Sequence, residues 1–195
     1  MGNIFYLIGK SATGKDTIYK LLLQNPALQL KPVVLYTTRP IRERETNGIE
    51  YYFTDTNTLE RLRTQGKIIE ERTYHTTLGI WHYFTVNDKQ FNSSSSLLMI
   101  GTLESLQTIQ NYFGQERVIP IYIEVEDGIR LQRALTREQT QTTPNYEEMC
   151  RRFLADQKDF SEEKLKEANI STRYQNINLD TCIEQIYHTI KSYQL

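Results

Sequence analysis

The chain has 195 residues, enough for one compact domain with a sizeable core and too few for two independent ones. Its 23 lysines and arginines against 24 acids leave a net charge of -1, which excludes a global pull toward nucleic acid or an anionic membrane surface; any anion site is local. Cys150 and Cys182 lack metal spacing and fall in helix-period stretches, as expected of reduced, partly buried thiols in a cytoplasmic protein, and no apolar run approaches the roughly 20 residues of a membrane span.

The first element is the apolar run Ile4–Ile8, of strand length, followed by Gly9-Lys10-Ser11-Ala12-Thr13-Gly14-Lys15-Asp16-Thr17 and a helix-like stretch at 18–23. Strand, glycine-spaced loop and helix in that order describe a phosphate-binding P-loop. Its main-chain N–H groups converge on phosphate oxygens, and Lys15 adds charge near the outer phosphates. Asp16 stands where a Mg²⁺-binding hydroxyl is usual, with Thr17 one residue later. A carboxylate beside phosphate calls for an intervening cation, so either Asp16 reaches Mg²⁺ through water or Thr17 supplies the hydroxyl.

Further strand-length runs follow at 33–36, 97–100 and 118–125, with helix-period stretches between and after them. Such alternation predicts an α/β fold, a parallel sheet flanked by helices in three layers. Residues 37–92 form a polar insertion with short aromatic strands at 50–53 and 81–86 and a helix at 58–65 that stops at Gly66. Beyond 125, a basic helix at 130–137, a turn-rich stretch holding Pro144 and renewed helical spacing over 146–168 predict a helical lid. A short strand at 174–178 and an amphipathic helix at 179–193 close the chain.

The segment from Tyr36 to Phe53 reads Y-T-T-R-P-I-R-E-R-E-T-N-G-I-E-Y-Y-F, and Arg39 and Arg42, three residues apart, can both reach one dianionic phosphate with fork geometry. With the P-loop, it resembles the guanylate kinase family, whose monophosphate-binding region carries Thr37, Thr38, Arg39, Arg42, Glu45, Gly48, Tyr51 and Phe53 at this spacing. The likeness covers almost the whole chain. It implies a P-loop kinase core (residues 1–36, 93–128 and 153–195), a monophosphate-binding insertion (37–92) and a lid (129–152). It further implies ATP and Mg²⁺ as cofactors, GMP or dGMP as acceptor, and small-molecule nucleotides rather than nucleic acid or membrane as partners.

Residue by residue, the resemblance puts Arg39, Arg42 and Tyr51 on the acceptor phosphate and Glu70 on the guanine, with Glu71 the competing choice. A carboxylate suits guanine because it accepts from N1–H and the exocyclic amine together. Gly79, in Leu78-Gly79, aligns with a tyrosine-glycine turn that touches the phosphate. Arg133, Arg137 and Arg152 resemble the lid arginines, of which Arg137 and Arg152 would neutralise charge on the transferring group. Arg151 and Arg44 read as solvated. Asn176 resembles the asparagine beside the donor adenine, with Asn178 as alternative. Four positions depart from the family pattern. Leu35 replaces a serine that helps read the guanine oxygen, and Tyr36 is the neighbouring candidate donor. Leu78 replaces the tyrosine, for which Tyr74, His75 and Tyr83 are candidate substitutes. Met99 and Gly101 replace an acidic pair, leaving Asp16 or Glu104 to supply a carboxylate. Two rival readings are a related kinase of another monophosphate or of ribose 1,5-bisphosphate, suggested by Asp16, and a non-catalytic guanylate-kinase-like interaction module.

Overall fold

The structure, a computed structural model, describes residues 1–43, 45–76 and 79–194. Arg44 and Leu78, both weighed above, lie outside the described residues. In chain order the elements are β1 (Ile4–Ile8), α1 (Lys15–Gln24), β2 (Lys31–Pro32), β3 (Tyr36–Thr37), β4 (Tyr52–Phe53), α2 (Thr56–Thr64), β5 (Ile68–Thr76) and β6 (Gly79–Val86). A 3₁₀ turn at Lys89–Asn92 leads to β7 (Leu97–Ile100), α3 (Leu103–Phe113), β8 (Val118–Glu124), α4 (Asp127–Gln139), α5 (Tyr146–Asp159), α6 (Glu162–Glu167), β9 (Arg173–Gln175) and α7 (Leu179–Ser192).

Two sheets organise the described residues. The five-stranded sheet has the order β2-β7-β1-β8-β9 and is parallel throughout. Parallel strands are covered on both faces, which explains why β1 is apolar at every position and fully buried. Tyr6, Met99 and Tyr122 face Leu103, Leu106 and Ile109 of α3, while Phe5, Leu7 and Ile121 face Ile18 and Leu22 of α1 and Cys182, Ile186 and Ile190 of α7. These are the three expected layers.

The four-stranded sheet, β4-β3-β6-β5, is mixed, with a small core of Leu59, Phe84 and Val86 beneath α2. The strand expected at 33–36 is divided between the sheets. Lys31–Pro32 joins β7 and Tyr36–Thr37 joins β6. Between them the Gln90 side chain satisfies Val34, accepting from its N–H at 2.8 Å and donating to its carbonyl at 3.2 Å. The helical stretch at 146–168 is also two helices. Phe160 turns inward to stack on Tyr122, and the Ser161 side chain accepts from Lys164 N–H to start α6. Of the cysteines expected to be partly buried, Cys182 is fully buried in α7 and Cys150 is exposed on α5, on the outward side of a helix that packs along one face only.

Candidate functional site: a P-loop facing an aromatic sheet

At the end of β1 the chain turns through Gly9 and enters α1 at Gly14, whose φ of 87° is left-handed. A side chain at Gly14 would begin 2.5 Å from Asn176 Nδ2, so glycine meets both a conformational and a spatial demand there. Asn176, 4 % exposed, donates to Thr13 O at 2.7 Å, bracing the loop from the C-terminal side of the sheet. Lys15 Nζ and Thr13 Oγ1 each donate to Lys10 O at 2.9 Å, which closes the turn. Burial lowers the pKa of Lys15, while the nearby carboxylates of Asp16 and Asp156 favour its cation. The first N–H groups of α1 have no partner within the helix and, with the positive end of its dipole, suit an anion. Asp16 and Thr17 sit exposed in that turn.

Helices α4 and α5 close against this loop. Arg130, 1 % exposed, was not singled out by sequence and is the hub of the contact. Its Nε and Nη2 donate to Asp127 Oδ1 at 3.0 and 2.8 Å, and its Nη1 donates to Ser11 O at 2.9 Å and Asp156 Oδ2 at 3.1 Å. Phe153 covers its guanidinium. Asp156 also accepts from Ser11 N–H at 2.7 Å, and Lys10 Nζ donates to Gln157 at 2.8 Å. The i,i+3 spacing of Asp127 and Arg130 was a usable signal; Asp156 and Gln157, on another helix, gave none.

A cavity of about 480 Å³ opens beside this latch, lined by Ser11, Arg42, Arg137, Glu138, Arg152 and Phe153 among others. Three arginines proposed from sequence, drawn from three separate segments, therefore face one space. Arg137 is exposed and has no ion-pair partner among the described residues. Arg152 Nε donates to Glu148 at 2.7 Å, and Arg151 grips the same carboxylate from outside at 2.6 and 2.8 Å. Hydrogen bonds from Arg151 and Arg152 hold the Glu148 pKa down to about 2. Arg133 instead donates to Asn176 O at 2.9 Å.

The second sheet presents an aromatic, polar face. Period-two alternation and the strand registers put Thr37, Phe53, Tyr83, Thr85, Glu70, Arg72 and Tyr74 on one side, and Tyr36, Phe84 and Glu71 on the other. On the first side Arg39, 3 % exposed, lies near the Tyr51 and Phe53 rings and donates to Tyr83 Oη at 3.1 Å, Pro40 O at 2.7 Å and Glu45 Oε1 at 2.7 Å. Glu45 also accepts from Arg42 N–H at 2.9 Å, so one carboxylate fixes both arginine positions. Glu70 is 6 % exposed and accepts from Thr85 at 3.2 Å. Burial raises its pKa, opposed by Arg72 and Thr85. Glu71, on the opposite side, pairs with Arg63 of α2 and with His82 at 2.8 Å. Tyr36 donates to Asp88 at 2.8 Å on that side, away from Glu70. His75 is exposed there too, whereas Tyr74 and Tyr83 stand edge to face on the Glu70 side. Gly79 is at the exposed tip of the β5–β6 hairpin and lines neither this cavity nor the one described next.

Between the P-loop and the second sheet lies a cavity of about 680 Å³, lined by Gly9, Lys15, Arg72, Gly101, Glu104 and Asp156 among others. The two departures at β7 have a packing basis. Met99 is buried, and a side chain at Gly101 would begin 2.3 Å from the Tyr6 hydroxyl. That hydroxyl, its pKa pushed up to about 12 by burial, donates to Ser105 Oγ at 2.8 Å and fills the space a carboxylate at Gly101 would need. Glu104 is exposed at the cavity wall. Among the described residues no three His, Cys, Asp or Glu side chains gather as a metal cage. Mg²⁺ requires no such cage, because it takes one or two protein oxygens with phosphate and water completing its shell; the exposed oxygens of Asp16 and Thr17 fit that demand.

A parallel sheet whose central strand runs through a glycine loop into a helix, with an arginine-lined cavity at that loop, defines an α/β protein of the P-loop class. A model of the guanylate kinase family matches residues 1–193, and the chain belongs to that family. It is similar to the guanylate kinase of Neisseria gonorrhoeae, 42% identical over 69 residues that cover 35% of this chain and 33% of the relative. The guanylate kinase of Haemophilus ducreyi is 37% identical over 71 residues, 36% of this chain and 34% of the relative. The chain thus spans about a third of the length of the curated relatives it matches. The crystal structure of guanylate kinase from Anaplasma phagocytophilum superposes with a TM-score of 0.66 at 21% identity, covering 100% of this chain and 87% of that one, and shares its fold.

Proposed function

We propose that this chain transfers the γ-phosphoryl group of ATP to GMP or dGMP. The observation that carries the reading is the convergence of Arg42, Arg137 and Arg152 on one cavity that meets the P-loop at Ser11. An acceptor phosphate oxygen would attack the γ-phosphorus as its bond to the β-bridging oxygen breaks, leaving ADP and a nucleoside diphosphate. No protein nucleophile is needed, so catalysis comes from alignment, charge neutralisation and exclusion of water.

In this reading residues 9–17 hold the donor phosphates through main-chain N–H groups and Lys15, and Asn176 borders the donor adenine. Arg39, Arg42 and Tyr51 take the acceptor phosphate, with Gly79 in the turn that touches it, and Glu70 takes the guanine. Arg137 and Arg152 span the transferring group. Asp16 and Thr17 would hold Mg²⁺, which when bound supplies positive charge to the donor phosphates. Residues 1–36, 93–128 and 153–195 act as core, 37–92 as acceptor-binding insertion and 129–152 as lid. The setting is cytoplasmic. Both cysteines are free thiols, and no described helix is long and apolar enough to cross a membrane.

A coupled ADP-release assay with ATP, Mg²⁺ and a panel of GMP, dGMP, AMP, CMP, UMP and ribose 1,5-bisphosphate tests this. Turnover on GMP and dGMP is expected. Turnover on the sugar phosphate alone would overturn the acceptor assignment, and none on any acceptor would favour an interaction module.

A further inference from the structure

Arg72 belongs to none of the roles assigned so far, and its surroundings are unusual. It lies on β5 two residues from Glu70, on the same face, with its side chain 18% exposed, and it lines the cavity between the P-loop and the second sheet. Its Nε is 2.5 Å from Glu70 Oε1, yet the two are misaligned, and neither atom completes a hydrogen bond among the described residues. Its Nη atoms also hydrogen-bond to none of the described residues. The buried Nε is compensated by the Glu70 charge without a hydrogen bond, a costly arrangement, and the Nη donors remain free for a ligand.

The Glu70 side of Arg72 has a complementary gap. Glu70 can accept from the N1–H and amine of guanine, but a donor for the neighbouring carbonyl oxygen is missing from the expected place. Leu35 packs on the core, and the Tyr36 hydroxyl is engaged by Asp88 on the other side of the sheet. A guanidinium beside a carboxylate offers a continuous row of acceptor and donor, matching amine, N1–H and O6 along one purine edge, and an arginine fork also suits O6 with N7. Adenine presents the opposite pattern, an acceptor at N1 and a donor at N6, and would meet like against like.

We infer that Arg72 is a specificity-determining residue that reads the O6 side of a 6-oxopurine acceptor, in tandem with Glu70. The inference rests on the guanine-nucleotide acceptor proposed above and adds the residue that replaces the lost hydroxyl donor.

The test compares kcat/KM for GMP, 6-thio-GMP and 7-deaza-GMP in the unaltered protein, Arg72→Gln and Arg72→Lys, each checked for folding by circular dichroism. The unaltered protein is expected to disfavour the 6-thio analogue about ten-fold. Arg72→Gln should lose about 10- to 100-fold on GMP, mainly through KM, and erase the penalty on the analogue; Arg72→Lys should recover part of both. A matching penalty with 7-deaza-GMP places the fork on N7 as well as O6, and its absence confines the contact to O6; both support the inference. Equal losses on all three substrates in Arg72→Gln would make Arg72 merely structural and overturn it, as would an unaltered protein that treats GMP and 6-thio-GMP alike, a result that needs no variant. If the unaltered protein phosphorylates no guanine nucleotide, the acceptor proposal itself falls.

Discussion

The P-loop and the second sheet present polar groups of different kinds. The loop offers main-chain N–H groups, held by left-handed glycines and by Asn176 behind them, so its contacts depend on backbone path more than on side-chain identity. The sheet offers side chains, Arg39, Glu70 and Arg72 on its polar face with Arg42 on the adjoining loop, and its own apolar core is three fully or nearly fully buried residues. A backbone site tolerates a change such as Asp16 without losing its cradle. A side-chain site changes what it recognises when one residue changes, and the departure at Leu35 falls on that half.

This contrast can be broken from the loop side. Gly14→Ala forces a left-handed alanine and pushes on Asn176, and should cost about 2–4 kcal/mol of stability together with most ATP affinity. Urea unfolding and ATP titration measure both, and an unchanged midpoint with unchanged affinity would show that the backbone is not the determinant. From the sheet side, Arg42→Ala should raise the acceptor KM about ten-fold while ATP binding stays within about two-fold. Equal losses for donor and acceptor would dissolve the division between halves. Smallest of all, Arg151→Ala should alter stability by less than about 0.5 kcal/mol and turnover by less than about two-fold, because its pair with Glu148 is solvent-exposed. If it matched Arg152→Ala in turnover, the α5 arginines would not be divided between cavity and solvent.

Glycines that mark unusual backbone angles, and arginines at fixed spacing within one segment, leave a pattern in sequence. The P-loop and the stretch from Tyr36 to Phe53 were accordingly legible, as was the alternation behind the parallel sheet. What sequence did not disclose depends on pairs distant along the chain. Arg130 acquires its role only when α5 brings Asp156 against Ser11, and Gly101 makes sense only once Tyr6, on the neighbouring strand β1, is seen filling its place. The polar run Glu70-Glu71-Arg72-Thr73-Tyr74-His75 hides a nine-residue strand because both its faces carry polar residues, so hydrophobic alternation is weak. Arg72 went unremarked for that reason.

The brace between Asn176 and Thr13 joins residues 163 positions apart. During synthesis the phosphate loop leaves the ribosome long before the amide that supports it. Its strand likewise waits for β7 and β8 before it has neighbours on either side. The loop gains this brace only once residue 176 has emerged, and a nascent chain halted before that point would carry the whole motif without its finished shape.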